Sequence, residues 1–216
     1  MKLLELFSGT GSVGNAFRDR GWEVISLDSN PAAGADICED IMDWDHQSIG
    51  PVDFIWASPP CTQYSKARTR AKLPRDLALA DAIVQRTLDI IRELSPYAWI
   101  MENPDTGLLK SRWFMRTLPV LGIIDYCQYG YHYRKRTRLW GCCPDLGLLP
   151  LCKKETCHAV VGGRHLLSAQ RGTSRGSNAD RALTVSELYR IPYDLCRDIS
   201  YAATRLMLWG PGHAIF

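Results

Sequence analysis

The sequence predicts an α/β protein built on a doubly wound, mostly parallel sheet. Short apolar stretches typical of strands alternate with segments whose apolar residues recur at helical spacing, and this alternation covers the first two thirds of the chain. Such alternation is typical of parallel sheets, because a crossover helix returns the chain to the edge where the strand began. With 216 residues, 46% of them hydrophobic, the chain can bury the core of one domain.

The chain begins with a predicted β-α-β unit. The apolar run KLLELF (2–7) is a strand that stops at Ser8 and Gly9. A helix is expected over GSVGNAFRDRG (11–21), ended by its last glycine, and EVISLD (23–28) is a second strand that ends in an acid.

Two further buried strands are predicted, VDFIWAS (52–58) and AWIMEN (98–103). A long amphipathic helix over 76–94 lies between them, beginning at Asp76 and stopped by Ser95-Pro96. Its apolar face consists of Ala80, Val84, Leu88, Ile91 and Leu94.

The last third of the chain is less regular. Segments 122–130 and 137–141 are expected to form a terminal hairpin, after which periodicity weakens. We therefore expect a catalytic core over 1–141, a small irregular insert over 142–180 and a helical return to the core over 181–216.

Composition excludes several classes of protein. No run of eighteen apolar residues occurs, and the N-terminal stretch MKLLELFSG contains Glu5, so neither a membrane span nor a signal peptide is predicted. Eight cysteines without a regular framework then indicate reduced thiols, and we expect a cytoplasmic monomer.

The net charge is only +3, but the basic residues form three blocks, at 66–75, 134–138 and 164–175. Acids concentrate elsewhere, as in DICEDIMDWD (36–45). This asymmetry favours a polyanionic partner that meets one face of the molecule. A solvated loop face would explain any single block equally well.

A glycine pattern, Gly9-x-Gly11-x-x-Gly14, follows the first strand, where backbone can approach a cofactor closely. Asp28 ends the second strand, at a position suited to accept hydrogen bonds from ribose hydroxyls. The pattern fits a dinucleotide, a nucleoside cofactor such as S-adenosylmethionine, or a tight turn with Asp28 as its cap.

Cys61 follows the third strand, at the carboxyl edge where open α/β sheets bind ligands. Pro59 and Pro60 stiffen the turn that carries it. The basic block at 66–75 is expected to lower the pKa of the thiol, which favours a nucleophile over a structural cysteine.

The motifs FSGTGS, SPPCTQYS, MENP and YRKRTRLW, in this order and at these intervals, resemble the DNA cytosine-5 methyltransferase family. The resemblance covers residues 3–140 and a patch at 181–192. It implies a Rossmann-like methyltransferase fold, S-adenosylmethionine as cofactor, DNA as partner, and methylation of C5 of a flipped-out cytosine.

The resemblance also implies roles for catalytic residues. Cys61 would add to C6 of the cytosine, and Glu102 would hydrogen-bond N3. Arg136 and Arg138 would hold the carbonyl oxygen of the base and a nearby phosphate. Without the resemblance, Glu102 could cap a turn and the two arginines could be solvated strand residues.

Binding residues follow from the resemblance in the same way. The implied cofactor site comprises Phe7, Ser8, Gly9, Gly11, Asp28, Ser29, Asp40, Ile41 and Pro59. Asp36 competes with Asp40 for the place beside the adenine, and the distance along the chain to Cys61 favours Asp40. The implied DNA contacts come from a closing loop over 62–75 and from the later patch, and comprise Ser65, Lys66, Arg68, Arg70 and Arg181.

The chain departs from the family pattern at Pro104, where valine is usual, and at Arg134, where glutamine is usual. The asparagine-bearing segment that completes the cofactor pocket is not recognisable, and IPYDLCRDI (191–199) is a candidate remnant. The region for target recognition is reduced to the insert, which predicts a short recognition site or low sequence specificity.

Bunched cysteines in the insert make zinc an alternative to ordinary thiols, although their spacing matches no familiar zinc module. The candidate ligands are Cys142, Cys143, Cys152, Cys157 and His158. The other cysteines apart from Cys61, including Cys127, are interpreted as core residues.

Three other functions stay open on the sequence alone. The same residues would serve methylation of RNA, tRNA above all. An amino-directed methyltransferase and an inactive DNA-binding homologue fit less well, because Cys61, Glu102 and both arginines are present. Restriction-modification, evasion of host defence by a phage and epigenetic marking are all compatible roles.

Overall fold

In a computed structural model, residues 1–66, 68, 73–144, 146–169 and 183–210 are described. A six-stranded sheet with the order β2-β1-β3-β4-β6-β5 forms the centre. Its strands are β1 (Lys2–Leu6), β2 (Glu23–Leu27), β3 (Phe54–Ala57), β4 (Ala98–Pro104), β5 (Val120–Asp125) and β6 (Arg136–Cys142). The first four run parallel, whereas β6 is antiparallel to both β4 and β5.

Helices cover both faces of this sheet, as a doubly wound fold requires. They are α1 (Ser12–Arg18), α2 (Leu77–Leu94), α3 (Val185–Tyr189) and α4 (Tyr193–Trp209). Alternating strand residues feed two cores: Leu3 packs with α1 and α4 on one face, and Leu4 packs with α2 on the other. The predicted fold class is confirmed.

The helix boundaries have local causes. The Asp76 carboxylate accepts a hydrogen bond from the Leu79 amide at 2.9 Å and caps the start of α2. Ser95 takes a left-handed conformation (φ 46°) that ends α2 just before Pro96. The short α3 begins with a capping box between Thr184 and Glu187.

The predicted terminal hairpin is present as β5 and β6, joined through a 3-10 turn at Tyr126–Tyr129. The insert that follows contains two further short strands, β7 (Val160–Val161) and β8 (Arg164–His165). The predicted division of the chain at 141 and 180 stays a prediction.

The beginning of the insert runs along β5 towards the edge where the parallel strands end. Leu148 packs over Gly122, and a Cβ atom at Gly122 would collide with that leucine. Further along, the Cys152 amide donates to Asp125 Oδ2 at 3.0 Å. The insert is thereby laid onto the edge strand of the sheet.

Within the described ranges, none of the helices combines the length and the apolar character that crossing a membrane demands.

Candidate active site

A cavity of about 220 Å³ opens at the carboxyl ends of β1, β3 and β4. Its lining includes eight of the thirteen catalytic and cofactor residues that the sequence singled out, namely Phe7, Ser8, Gly9, Asp28, Ser29, Pro59, Cys61 and Glu102. Segments more than ninety residues apart in sequence therefore meet at one edge of the sheet, as the order of parallel strands dictates.

The glycine turn, defined as residues 7–11, forms one wall of this cavity. Phe7, Gly9 and Gly11 all have positive φ angles, of 60°, 52° and 65°. The Gly9 amide donates to Asp28 Oδ2 at 2.8 Å, and the Asn30 amide donates to Asp28 Oδ1 at 2.8 Å. Asp28 therefore fixes the turn and its own loop at once, while its carboxylate still faces the cavity. Gly11 lies behind the turn as the N-cap of α1.

Glu5, in the middle of β1, also lines the cavity and was missed by the sequence analysis. It is 2% exposed, and its Oε1 accepts a hydrogen bond from the Val13 amide at 3.3 Å. Gly14 makes room for this carboxyl, because a Cβ atom there would collide with it. Burial outweighs the opposing backbone amides and raises the pKa of Glu5 to about 7.

The turn that carries Cys61 is held from two sides. The Asn103 side chain donates from Nδ2 to the Pro59 carbonyl at 2.8 Å. The Tyr64 amide donates to the Cys61 carbonyl at 3.0 Å, and the fully buried Tyr64 hydroxyl donates to Asp81 on α2 at 2.9 Å. These bonds fix the thiol at the cavity, where Cys61 is half-buried.

The expectation that the nearby basic block lowers the pKa of Cys61 is wrong. Burial raises the pKa of the thiol, Lys135 opposes that effect, and Glu102 adds to it. Arg68 is turned into its own loop, where its guanidinium donates to Gln63 and to the carbonyls of Leu73 and Pro74.

Glu102 lies at the carboxyl end of β4 and is only 5% exposed. The Tyr126 hydroxyl donates to Glu102 Oε1 at 3.2 Å, and Lys135 Nζ lies 3.7 Å from the same oxygen. The Lys135 ammonium also lies 4.8 Å from the centre of the Tyr126 ring. Lys135 is thus a cavity cation that the sequence analysis missed, although it stood within the basic block at 134–138.

The two arginines of the same block are engaged elsewhere. Arg136 binds Asp125 in a bidentate pair with distances of 3.0 and 2.7 Å, and Arg138 Nε lies 2.8 Å from Asp105 Oδ1. Neither arginine lines the cavity. Their predicted contact with the base and a phosphate stays a prediction.

Two predicted cofactor residues also lie away from the cavity lining. Asp40 is exposed and accepts a hydrogen bond from the Met42 amide at 2.9 Å, while Ile41 is buried in the core beside α2. The competing acid Asp36 is bonded to the Ser26 amide and hydroxyl at 2.9 and 2.6 Å. No contact in the described residues favours either acid for the adenine.

Among the predicted DNA contacts, Ser65, Lys66 and Arg68 lie in the segment after Cys61. Lys66 is exposed there. Arg70 and Arg181 lie outside the described residues, as does part of the predicted closing loop.

The C-terminal part of the chain closes the cavity with Tyr189 and Ile191. The Ile191 amide donates to Ser12 Oγ at the start of α1, at 3.4 Å. Ile191 is the first residue of the segment 191–199, which the sequence analysis considered a candidate remnant of the cofactor segment.

The candidate metal ligands differ from the predicted set. Cys152 and Cys157 are brought together with Cys127 and His165, and the four ligand atoms all lie within 4.8 Å of one another. Cys142, Cys143 and His158 are not part of this group. Bunching in sequence was a poor guide here, because two of the four side chains come from β8 and from the turn after β5.

Two comparisons with known sequences agree with this geometry. Residues 1–134 match the protein family described as C-5 cytosine-specific DNA methylase, a segment that includes the glycine turn, Cys61 and Glu102. In an alignment 216 residues long, the chain is 34% identical to a protein of Frog virus 3 (isolate Goorha) named "Probable DNA (cytosine-5)-methyltransferase". That alignment covers 89% of this chain and 95% of the viral protein.

Solved structures share the fold at low sequence identity. A candidate DNA modification methyltransferase encoded within an E. coli prophage has a TM-score of 0.53 and 15% identity, over 87% of this chain and 63% of that one. The Entamoeba histolytica methyltransferase EhMeth has a TM-score of 0.50 and 16% identity, over 70% of this chain and 56% of that one. This chain therefore spans less than two thirds of either structure.

Proposed function

The chain belongs to the C-5 cytosine-specific DNA methylase family, and we propose that it methylates cytosine through a transient covalent bond to Cys61. As a member of this family it is an S-adenosylmethionine-dependent DNA cytosine-5 methyltransferase. One observation carries the proposed mechanism: Cys61 and Glu102 line the same cavity as the glycine turn and Asp28.

The wall of the cavity that is formed by the glycine turn and Asp28 carries chemical groups suited to S-adenosylmethionine. The Phe7 ring and the open glycine turn offer an apolar surface and close backbone approach for a nucleoside. The Asp28 carboxylate accepts one hydrogen bond on each oxygen, which leaves lone pairs for ribose hydroxyls. When bound, S-adenosylmethionine supplies the methyl group that C5 of cytosine accepts.

Cys61 performs the first chemical step. Its thiol gives its proton to solvent water, and the thiolate adds to C6 of the cytosine. The S–C6 bond forms, the π electrons of the C5–C6 bond shift to C4–C5, and those of the C4–N3 bond move onto N3. C5 becomes nucleophilic as a result. After methylation, solvent water takes the C5 proton, the C5–C6 double bond re-forms, and the S–C6 bond breaks to release the Cys61 thiolate.

Glu102 stabilises the charge that this addition places on the ring. A carboxyl group that is hydrogen-bonded to N3 offsets negative charge there, and Glu102 is held for this purpose by Tyr126 and Lys135. Asn103 Oδ1 is buried beside the cavity and accepts no hydrogen bond in the described part of the chain, so it is an available acceptor for an amino group.

Lys135 promotes formation of the thiolate. Its ammonium lowers the pKa of Cys61 against the effects of burial and of Glu102. The ion pairs of Arg136 and Arg138 fix the strand that begins directly after Lys135. We assign these arginines to positioning that strand, and contact with the base or with phosphate remains open to them only if their ion pairs rearrange.

The target base must leave the duplex, because C5 and C6 are inaccessible within stacked DNA. Ser65 and Lys66 follow Cys61 closely and are suited to meet the sugar-phosphate backbone beside the extruded base. Arg68 would join them once its guanidinium leaves the carbonyls of Leu73 and Pro74. A short insert offers little surface for reading sequence, so we expect a short recognition site.

A mechanism-based probe tests the proposal. A randomised pool of duplex DNA that contains 5-fluorocytosine is incubated with the protein and S-adenosylmethionine. Fluorine at C5 prevents the final elimination, so we expect a covalent protein–DNA adduct that survives denaturation. Cys61→Ala should abolish the adduct, whereas Cys38→Ala, which alters an exposed cysteine outside the cavity, should retain it.

Two outcomes would contradict the mechanism: no adduct with any pool, or an adduct that persists in Cys61→Ala. A parallel pool of 5-fluorocytosine RNA separates the substrates. Adduct formation only on RNA would leave the role of Cys61 intact and overturn DNA as the substrate.

A further inference from the structure

Three cysteines and one histidine meet outside the cavity. Cys127 lies in the 3-10 turn after β5, Cys152 and Cys157 lie in the insert, and His165 ends β8. Cys127 and Cys157 are buried together with Ala159, and Cys152 packs against them. We propose that these four side chains bind one zinc ion that fastens the insert to the edge of the sheet.

Two sulfur–nitrogen distances within the group fit tetrahedral coordination. With Zn–S bonds of about 2.3 Å and Zn–N bonds of about 2.0 Å, ligand atoms at tetrahedral corners lie about 3.8 Å apart for two sulfurs and about 3.6 Å apart for sulfur and nitrogen. His165 Nε2 lies 3.5 Å from Cys152 Sγ and 3.7 Å from Cys157 Sγ. Both observed distances agree with the expected sulfur–nitrogen separation.

The chemical nature of these four ligands favours zinc over other metal ions. Three thiolates and an imidazole are soft ligands that suit zinc and do not suit magnesium or calcium, which prefer oxygen. Four protein ligands also fill a tetrahedral shell, which is typical of structural zinc sites and leaves no position for a substrate.

Ordinary interactions satisfy this cluster poorly. The Gln128 side-chain amide reaches the sulfurs of Cys127 and Cys157 only at 3.9 Å, and all three cysteines are unpaired thiols. Thiols are weak hydrogen-bond donors and acceptors, so the bonds that Cys152 shares with Cys127, Cys157 and His165 hold the group together only weakly. A cation that bridges them accounts for the convergence of three separate segments.

A bound zinc ion would fix the position of the insert relative to the sheet. The chain from Leu148 to Cys152 already follows β5, and the Cys152 amide bonds Asp125, the residue that also pairs with Arg136. Zinc at this point would join the insert to the turn after β5, next to Asp125, whose strand partner Arg136 directly follows Lys135. Metal binding would thus stabilise the cavity wall from behind.

Metal content tests the proposal on the full chain, purified without chelators. We expect about one zinc ion per chain in the wild type. His165→Ala and Cys127→Ser should lose most of it. The matched controls are His158→Ala and Cys142→Ser, which alter a histidine and an exposed cysteine of the same region outside the cluster, and both should keep their zinc.

Cobalt binding to the wild type keeps the test decisive if the cluster variants fail to fold. After zinc is removed, Co²⁺ should bind with the intense visible absorption of a tetrahedral, thiolate-rich site, and zinc should displace it. The proposal is overturned if the wild type holds neither metal, if His158→Ala loses zinc as His165→Ala does, or if mass spectrometry finds a disulfide between two of the three cysteines.

Discussion

The two walls of the cavity hold their polar groups in different ways. On the wall formed by β1 and β2, Asp28 is bonded to the amides of the turn that it supports, so the geometry is complete within the chain. On the wall formed by β3 and β4, the charges of Glu102 and Lys135 lie beside Cys61 and face the cavity. We therefore expect the first wall to bind the cofactor and the second to act on the substrate.

The largest expected effect separates the two walls by kinetics. Glu102→Gln should lower kcat by about 10²- to 10³-fold, because the carboxyl group acts on charge that develops only during reaction. Asp28→Asn on the other wall should mainly raise the KM for S-adenosylmethionine. Steady-state methylation assays with varied cofactor measure both constants. Equal losses of kcat in the two variants would remove the distinction between the walls.

A smaller effect concerns stability and the buried Glu5. Its pKa is about 7 in the folded chain, against 4.5 for an ordinary glutamate. Between these values the folded chain binds a proton that the unfolded chain has released, so stability falls as pH rises from 4.5 through 7. Glu5→Gln removes that dependence and should be more stable than the wild type by about 1 to 3 kcal/mol above pH 7.

Urea unfolding at pH 5, 6, 7 and 8 measures this difference. The gain from Glu5→Gln should shrink towards pH 5, and the exposed Glu39→Gln should show no comparable trend. A wild type whose stability rises relative to Glu5→Gln across this range would show that the carboxyl is ionised in the fold.

The smallest expected effect is a shift of the pH–activity profile when Lys135 is replaced. Removing its ammonium in Lys135→Ala should raise the pKa of Cys61 further, which moves the rise in activity to higher pH and lowers the rate at pH 7 by about five- to tenfold. Lys135→Arg keeps the charge and should restore most of the profile. The pH dependence of kcat/KM for DNA measures the shift, and an unshifted profile for Lys135→Ala would exclude this role.

The features that the sequence predicted correctly are short motifs of neighbouring residues. The glycine turn and the Cys61 turn are short motifs that follow apolar strands, so topology alone brings them to one edge. The sequence did not show which acidic side chain each basic side chain would pair with. The antiparallel pairing of β6 brings Arg136 beside Asp125 and Arg138 beside Asp105. The spacing of basic residues in the sequence does not show that Lys135 lines the cavity and that the two arginines do not.

Other misses have similar physical causes. Glu5 was hidden inside an apolar strand, and only the space left by Gly14 explains how a carboxyl is buried there. The pKa of Cys61 was misjudged because burial of the thiol outweighs nearby positive charge, and because Arg68 of the basic block turns into its own loop. Cys127 is buried, as expected of a core residue, but nothing in the sequence shows that tertiary packing also brings its sulfur to within 4.8 Å of the ligand atoms of Cys152, Cys157 and His165.

The reversed direction of β6 sets a minimum length for anything that follows it. The chain leaves this strand at the far side of the sheet and must travel back along β5, past Gly122, before Cys152 reaches the level of Asp125. An extended chain of six residues, the length of β5, covers about 20 Å, so much of residues 143–152 serves as a return path. If the insert contacts the target DNA, as we expect, a shorter segment 143–152 would leave it at the edge of the sheet opposite the cavity. Extra residues after Cys157 would instead enlarge the insert without displacing Cys61 or Glu102.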